Sequence, residues 1–244
     1  MKLLVTGASG LLGINLTMEA VREHEVIGHD RGKLKSAPFQ VLKGDLLKTD
    51  EIHSILRATK PDCLINCAAL ANLEKCEEDP RQAKMLNTDL PGELAAACKK
   101  NNIRFVHIST DAVFDGTKEG FYTEEDQTSP PGMYSQTKLD GERAVLEINP
   151  QAIIARVNFY GWSLGGRRSL GEFFVNNLSE GKAVNGFTDV TFCPMLVNVT
   201  ARLLLEMLQK DLTGVYHVVG AQPMSKYQFG VEVARTFGLD ESLI

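Results

Sequence analysis

The sequence predicts an α/β fold in which helices cover both faces of a doubly wound parallel sheet. Short aliphatic segments alternate with longer segments of helical period along residues 1–160, which is the pattern of strand–helix–strand units in a parallel sheet. The first aliphatic segment, residues 2–6, runs directly into a glycine-rich turn and then into a helical pattern. Because ligands of such sheets bind at the carboxyl ends of the strands, we expect the functional residues there.

The first turn contains Gly7, Gly10 and Gly13, each three residues from the next. Gly7 permits a tight turn, Gly10 lets the backbone approach a pyrophosphate, and Gly13 lets the helix pack closely on the strand. The free N–H groups and the dipole of the following helix favour an anion at that point. We therefore predict a dinucleotide site in preference to a purely structural turn, formed here by Gly7, Ser9, Gly10, Leu11 and Leu12.

The second predicted strand, residues 25–30, ends at Asp30, about twenty residues beyond the glycines. An acidic residue at that place accepts hydrogen bonds from the adenosine ribose of NAD. Arg31 and Lys33 follow, and their positive charges would instead suit the 2′-phosphate of NADP. Both cofactors therefore stay open, and the alternative to either is that Asp30 only starts a polar loop.

Two more strands and two helices follow. Residues 39–42 predict a third strand, residues 49–59 a helix, residues 62–69 a fourth strand with its exit, and residues 80–100 one long helix with an apolar stripe. Small side chains at the exit of the fourth strand would let a cofactor lie close. The cofactor contacts predicted from these stretches are Asp45, Leu46, Cys67, Ala68, Ala69 and Asn87.

The fifth predicted strand, residues 104–109, runs out into Ser109 and Thr110. After a loop, Tyr134 and Lys138 stand four residues apart and so lie on one face of the next predicted helix. An ammonium beside a phenol favours the phenolate, so we expect Lys138 to lower the pKa of Tyr134 and make it a general acid for a carbonyl oxygen. Thr110 would supply a second hydrogen bond to that oxygen. This spacing is common by itself and gains weight from the glycine turn in the same chain.

Several motifs resemble those of the extended short-chain dehydrogenases/reductases, namely residues 6–13, 66–69 and 109–111 and the pair Tyr134 and Lys138. Within that family, residues 107–116, 124–126 and 134–142 resemble the dTDP-4-dehydrorhamnose reductases. The resemblance implies a Rossmann-type sheet, NADPH or NADH as cofactor, and a 4-keto nucleotide sugar as substrate. It also implies that Thr110, Tyr134 and Lys138 are the catalytic residues and that Lys138 holds the nicotinamide ribose.

The resemblance further implies which residues contact the two ligands. Ser109, Tyr134 and Lys138 would contact the cofactor, and Asp111, Ala112, Val113 and Asn158 the sugar. Ala112 replaces a tyrosine of the reductases, and Asn158 with Phe159 replaces a Ser-Trp pair, so the identity of the sugar stays open.

Two other functions stay open as well. One is an NAD-dependent nucleotide-sugar 4-epimerase, which would use the same three catalytic residues. The other is a non-catalytic regulatory subunit similar to the β subunit of methionine adenosyltransferase, which residues 114–117 and 137–142 resemble.

Beyond Tyr160 the alternation of strands and helices loosens. We therefore predict a dinucleotide-binding domain over 1–160, to which some later elements return, and mainly a substrate-binding lobe over 161–244. The resemblance implies that relatives extend further, so we expect this lobe to be incomplete at its C-terminal end. Arg167 and Arg168, in the loop that opens the lobe, suit the diphosphate of the substrate, and solvated loop charges are the alternative.

The composition argues against several other classes of protein. Of the 244 residues, 43% are hydrophobic and 23% charged, and the formal net charge of −5 comes without a basic run. We therefore expect no nucleic-acid partner and no membrane partner. The five cysteines and five histidines lack metal-ligand spacing, so we expect no metal site and a cytoplasmic location, with a homodimer as the possible assembly.

Overall fold

A computed structural model describes residues 1–32, 34 and 36–244, and its central element is one parallel sheet of seven strands. Within the described residues the strands of this sheet are β1 (Lys2–Thr6), β2 (Glu25–Asp30), β3 (Gln40–Lys43), β4 (Cys63–Asn66), β5 (Arg104–Thr110), β6 (Ile153–Val157) and β10 (Gly214–Val218). Two short pairs lie outside it, a parallel one of β7 (Phe159–Tyr160) with β9 (Met195–Leu196) and an antiparallel one of β8 (Thr191–Phe192) with β11 (Met224–Ser225).

The strand order is β10-β6-β5-β4-β1-β2-β3, and each pair of neighbours is parallel. The chain starts in the middle at β1, builds outward to β3, and then crosses back to place β4 on the other side of β1. The connections that leave β1 and β4 run to opposite faces at this reversal, which opens a crevice at the carboxyl ends of the strands. The predicted Rossmann-type doubly wound sheet is confirmed.

Helices cover both faces of the sheet. In the described residues they are α1 (Leu11–Ala20), α2 (Thr49–Thr59), α3 (Leu73–Glu78), α4 (Pro80–Lys84), α5 (Leu90–Lys100), α6 (Met133–Ile148), α7 (Leu170–Ser179), α8 (Val197–Gln209) and α9 (Lys226–Phe237). Leu3 and Val5 of β1 pack with α1 and α8, whereas Leu4 packs with α2 and α5 on the other face. Because successive side chains of a strand point to opposite faces, a strand covered on both sides is apolar throughout.

The prediction of a single helix over 80–100 is wrong in one respect, because the helix is interrupted in the structure. A π-helical turn, Met85–Asp89, separates α4 from α5. Pro91 has no N–H, so the carbonyl of Asn87, four residues earlier, loses its helical donor and the helix widens there. The Asn87 side chain then accepts from the amide of Leu70 at 2.9 Å and donates to its carbonyl at 3.1 Å. The turn thereby holds the chain that follows β4.

The helix α3 has no counterpart in the sequence analysis. It is too short for a helical period to be visible, and Cys76 is its one buried residue. Asn72 caps it by accepting a hydrogen bond from the amide of Lys75 at 2.7 Å. The helix therefore depends on a local cap and on one buried sulfur, which an apolar pattern does not reveal.

The C-terminal part of the chain contributes to the sheet layer and also to a second core. β10 pairs with β6 at the edge of the sheet, and α8 packs on α1. Phe174 of α7 and Phe229 of α9 form the centre of a separate small core. In the part of the chain that the structure describes, no helix combines the length and the apolar character that crossing a bilayer requires.

Gly141 is the place where α6 meets the π-helical turn. A Cβ atom at Gly141 would lie 2.1 Å from the carbonyl oxygen of Asn87. We expect Gly141→Ala to lower the free energy of unfolding by about 1–3 kcal/mol, as overpacking does, although alanine is ordinarily the better helix former. Urea denaturation measures this change. Gly92→Ala is the matched control, because a Cβ there meets the Cβ of Ala144 at an ordinary 3.5 Å; equal losses in both variants would contradict the prediction.

Candidate active site

A cleft of about 720 Å³, open to solvent, lies at the carboxyl ends of β1, β2 and β4. The predicted cofactor residues that line it are Gly7, Ser9, Gly10, Asp30, Arg31, Asp45, Leu46, Cys67, Ala68 and Ala69. It is also lined by residues that the sequence analysis did not assign to the cofactor, namely His29, Leu47, Leu86, Leu90 and Arg168. The structure thus joins the glycine turn with the ends of three strands and with a residue from the C-terminal part of the chain.

Close backbone contacts shape the glycine turn. Gly7 has a φ of +64°, and a Cβ there would lie 2.8 Å from the carbonyl of Cys67. A Cβ at Gly13 would lie 2.2 Å from the carbonyl oxygen of Gly7, so α1 packs directly on the turn. Gly10 precedes α1 and has no side chain to cap it, which leaves the first amides of the helix available to a phosphate. Leu12 is buried, so it can reach a ligand only through its backbone.

Asp30 organises the loop that follows β2. Its buried carboxylate accepts hydrogen bonds from the amides of Gly32 at 2.7 Å and Leu34 at 3.3 Å. Arg31 is exposed at the rim of the cleft, and Lys33 lies outside the described residues. Asp30 therefore has two roles in the structure: it lines the cleft and it holds the loop that carries Arg31.

His29 lines the cleft, although the sequence pointed only to the absence of metal-ligand spacing among the histidines. Its Nε2 atom is buried and has no hydrogen-bond partner among the described residues. Burial lowers the pKa of His29 despite the nearby carboxylates of Glu51 and Asp30, so the ring is neutral. Nε2 lies 3.3 Å from the position that a Cβ at Gly44 would take, so this nitrogen faces the loop after β3. The signal in the sequence was its place one residue before the end of a strand that leads into the site.

The reactive part of the site lies where β5 meets α6. Thr110 ends β5, where its hydroxyl accepts from the amide of Ala112 at 3.1 Å, and Tyr134 lies in the first turn of α6 with its phenol beside the Thr110 side chain. Burial raises the pKa of Tyr134 to about 12, and the neighbouring Thr110 hydroxyl opposes that rise. The prediction that Lys138 lowers this pKa is therefore wrong for this structure, because burial of the phenol outweighs any neighbouring charge.

Lys138 is buried one turn further along α6. Its Nζ donates to the carbonyl of Ile108 at 2.5 Å and lies 3.4 Å from Nε2 of His107. Burial lowers the pKa of Lys138 to about 8, while the Glu142 carboxylate and the Cys67 sulfur act in the opposite direction. The amine of Lys138 therefore contacts β5. Among the described residues, no hydrogen bond joins it to the phenol of Tyr134.

A line of buried polar groups continues from Lys138 into the sheet. Nδ1 of His107 lies 3.1 Å from Nδ2 of Asn66, and Oδ1 of Asn66 accepts from the hydroxyl of Thr6 at 2.6 Å. Burial, and after it the charge of Lys138, keeps the pKa of His107 well below its usual value, so the ring is neutral. A neutral imidazole has one donor nitrogen and one acceptor nitrogen. Which nitrogen of His107 carries the proton therefore depends on both neighbours, Asn66 and Lys138.

Ser109, predicted to contact the cofactor, takes part in a second buried network. Its hydroxyl donates to Oε1 of Glu142 at 2.5 Å. Glu142 pairs with Arg156 of β6, with 2.8 Å between Oε2 and Nη2, and both side chains are buried. The guanidinium of Arg156 also lies 5.2 Å from the centre of the Phe114 ring. These contacts hold α6 against β5 and β6.

The residues predicted to contact the sugar divide into two groups. Nδ2 of Asn158 donates to Oδ2 of Asp111 at 2.7 Å, and burial raises the pKa of Asp111. Ala112 is half-buried beside them. Val113, in contrast, is fully buried in a cluster with Phe114, so only its backbone can reach a ligand.

The Tyr-x-x-x-Lys helix beside a strand-end hydroxyl, on a Rossmann-type sheet, defines the short-chain dehydrogenases/reductases, a class of NAD(P)-dependent oxidoreductases, and this chain has that arrangement. More narrowly, the chain belongs to the RmlD family, since the family model described as the RmlD substrate binding domain matches residues 1–244. The resemblance found in the motifs is confirmed.

Individual relatives are similar over nearly the whole chain. It is 35% identical to the probable low-salt glycan biosynthesis reductase Agl14 of Haloferax volcanii, over 98% of this chain and 81% of the relative. It is 30% identical to dTDP-4-dehydrorhamnose reductase of Aggregatibacter actinomycetemcomitans, over 95% and 78%. It is also 32% identical to methionine adenosyltransferase 2 subunit beta of Pongo abelii, over 99% and 73%. Among solved structures, a hypothetical dTDP-4-dehydrorhamnose reductase from Sulfolobus tokodaii has a TM-score of 0.87 at 31% identity, over 98% of this chain and 83% of that one.

The lowered pKa of Lys138 predicts how stability depends on pH. Between about pH 8, its value in the fold, and its ordinary value of 10.5, the unfolded chain binds more protons than the folded chain. The contribution of Lys138 to the free energy of unfolding therefore rises with pH across that window. We expect the unfolding free energy of the wild type to rise from pH 8 to pH 10 relative to that of Lys138→Met.

Urea denaturation at several pH values measures this difference. Lys100→Met, at an exposed position in the last turn of α5, is the control for replacing a lysine by a methionine. A pH profile of Lys138→Met that parallels the wild type as closely as that of Lys100→Met would contradict the buried ammonium.

Proposed function

We propose that the protein is an NAD(P)H-dependent reductase of a 4-keto nucleotide sugar, similar in activity to the dTDP-4-dehydrorhamnose reductases. The observation that carries the proposal is that Tyr134, in the first turn of α6, lies beside Thr110 at the end of β5, with Lys138 one turn further against Ile108 of the same strand, at the edge of the sheet that also holds the glycine-turn cleft. A protonated phenol and a second hydroxyl side by side suit a carbonyl oxygen that gains a proton. The similarity to two reductases, of which one acts on dTDP-4-dehydrorhamnose by its name, supports this class.

The residues of the cleft fit a dinucleotide. Gly7 and Gly13 leave no room for a Cβ, so the backbone comes close to whatever lies beyond the turn, and the amides of α1 are available to a phosphate. NADPH or NADH bound there would supply a hydride. The residues of the cleft proposed to hold it are Gly7, Ser9, Gly10, Asp30, Arg31, Asp45, Leu46, Cys67, Ala68 and Ala69. Leu11 and Leu12, in the first turn of α1, and Tyr134 and Lys138, proposed for the nicotinamide ribose, are not among the lining residues.

Tyr134 would donate its proton to the keto oxygen as the hydride reaches the carbon, so that C=O becomes CH–OH. A pKa of about 12 keeps this phenol protonated at neutral pH. Lys138 donates to the carbonyl of Ile108 and does not act on the phenol in this structure, so its proposed role is to hold the nicotinamide ribose. Thr110 would donate a second hydrogen bond to the same oxygen, because its hydroxyl already lies against the phenol.

The proposed sugar contacts lie beside this pair. Asp111 would accept a hydrogen bond from a hydroxyl of the sugar, and Asn158 holds its carboxylate in place at 2.7 Å. Ala112 has a small side chain and leaves room for the ring on this side. Asn87 and Ser109 would support the site through the contacts they already make, to the backbone of Leu70 and to Glu142.

A second candidate function is that of a non-catalytic regulatory subunit. It is favoured by the 32% identity to methionine adenosyltransferase 2 subunit beta. Such a protein would keep the nucleotide cleft and have no keto sugar to reduce. The cytoplasmic location and the homodimer predicted above belong to the proposal as well, and the five free cysteines support the location.

The proposed reaction is tested by the absorbance of the reduced cofactor. We expect purified protein to oxidise NADH or NADPH when a 4-keto nucleotide sugar is added, and not with the corresponding 4-hydroxy sugar. A panel of dTDP-linked and other nucleotide-linked 4-keto sugars identifies the substrate. If no member of the panel is reduced and a methionine adenosyltransferase co-purifies, the regulatory function replaces the reductase. An NAD that stays bound through desalting, with interconversion of 4-hydroxy sugars, would indicate an epimerase instead.

The role of Tyr134 is tested separately. We expect Tyr134→Phe to lower turnover at least about a hundredfold, the usual loss for a general acid, with nearly unchanged cofactor affinity. Tyr122→Phe is the matched control, because the Tyr122 hydroxyl bonds to Asp115 in an exposed loop. Steady-state kinetics and cofactor titration give both quantities. Turnover that is unchanged in Tyr134→Phe would remove this residue from the mechanism.

A further inference from the structure

The loop between β7 and α7, residues 161–169, is held closed by hydrogen bonds. The hydroxyl of Ser169 donates to the carbonyl of Gly161 at 2.7 Å. The carboxylate of Glu172 accepts from the amides of Ser163 at 2.5 Å, Arg168 at 2.6 Å and Ser169 at 3.0 Å. The backbone of Arg168 is therefore fixed by a carboxylate in the first turn of α7.

The same loop is attached to α1, the helix that begins at the glycine turn. Nδ2 of Asn15 donates to the carbonyl of Leu11 at 2.8 Å and to the carbonyl of Trp162 at 3.0 Å. One side chain thus joins the first turn of α1 to the loop. A side chain of this loop is thereby brought close to the place where α1 offers its free amides.

The two arginines of the loop point to different places. Arg168 is an exposed residue that lines the cleft together with Gly7, Ser9 and Gly10. Arg167 is not among the lining residues, and its charge acts on Glu180 instead: Lys182 first, and Arg167 to a lesser extent, lower the pKa of Glu180. Glu180 caps the C-terminal end of α7. Arg167 and Arg168 are adjacent in the sequence, but of the two it is Arg168 that is placed to contact a ligand in the cleft.

The charges around the cleft suit this position of Arg168. The described charged residues that line it include the acids Asp30 and Asp45 and the arginines Arg31 and Arg168. Arg31 directly follows Asp30 at the end of β2, and Arg168 comes from the other half of the chain. A guanidinium fits two phosphate oxygens at once, so Arg168 and the amides of α1 are complementary to one diphosphate.

We propose that Arg168 binds the diphosphate of the dinucleotide cofactor, and so makes the C-terminal part of the chain one side of the cofactor site. This proposal rests on the proposed function, since it needs a dinucleotide in the cleft. It replaces the expectation that Arg168 binds the diphosphate of the sugar nucleotide. The cofactor would then be held between the amides of α1 and the loop over residues 161–169.

Direct binding measurements test this without any need for turnover. NADPH and NADH are titrated into the wild type, into Arg168→Met and into the control Arg167→Met, with the nicotinamide fluorescence as readout. We expect Arg168→Met to raise Kd about tenfold or more for both cofactors, the loss typical of a hydrogen-bonded charge, and Arg167→Met to change it by less than about twofold. Adenosine 2′-monophosphate, which lacks a diphosphate, should bind equally to all three proteins.

Other results would overturn the proposal in distinct ways. A loss for NADPH alone would place Arg168 at the 2′-phosphate, and unchanged cofactor binding with weaker binding of dTDP would return it to the substrate. Equal Kd values for Arg168→Met and the wild type would remove it from the site. If the wild type itself binds neither cofactor, the proposed function fails first. Arg168→Lys, which keeps the charge and loses the two-pronged contact, should recover part of the affinity, and a Kd equal to that of Arg168→Met would count against a phosphate contact.

Discussion

The burial of one amine, that of Lys138, organises the reactive part of the molecule. Its Nζ lies where α6 meets β5 and donates to the carbonyl of Ile108. A charged group in the interior is costly unless its donors find acceptors, and this carbonyl is one such acceptor. Tyr134 lies one helical turn before Lys138 on the same face of α6. The contact that satisfies the amine therefore also determines where the phenol stands, beside Thr110 at the end of β5.

The same face of α6 carries a third ionisable group. Tyr134, Lys138 and Glu142 follow each other at intervals of four residues, so a phenol, an amine and a carboxylate face the sheet in a row. Glu142 is paired with Arg156 of β6, which joins α6 to the next strand. A shift of the helix along the sheet would leave both charges buried without partners, a cost of several kcal/mol, about 3–5 for a broken pair of this kind. The polar contacts thus determine the register of α6.

The dinucleotide cleft depends in a similar way on contacts between distant parts of the chain. α1 begins at the glycine turn, and α8 packs along it. Asn15 ties its first turn to Trp162, in the loop that carries Arg168. The helix that offers its amides to the cleft is therefore positioned by residues of the C-terminal part. Both regions that face a ligand therefore combine a local motif with a contact from a distant part of the chain. The glycine turn is held by Trp162 and α8, and the helix with Tyr134 and Lys138 is held by β5.

The sequence by itself determined the parallel sheet, the glycine turn and the spacing of Tyr134 and Lys138, because these follow from backbone periodicity and from the conformational freedom of glycine. It did not determine the pKa of Tyr134, which burial raises against the expected effect of the lysine. Nor could it distinguish Arg167 from Arg168, of which Arg168 is among the described residues that line the cleft and Arg167 is not. Such properties depend on neighbours far away in the chain and on the exclusion of water, and only the tertiary structure supplies both.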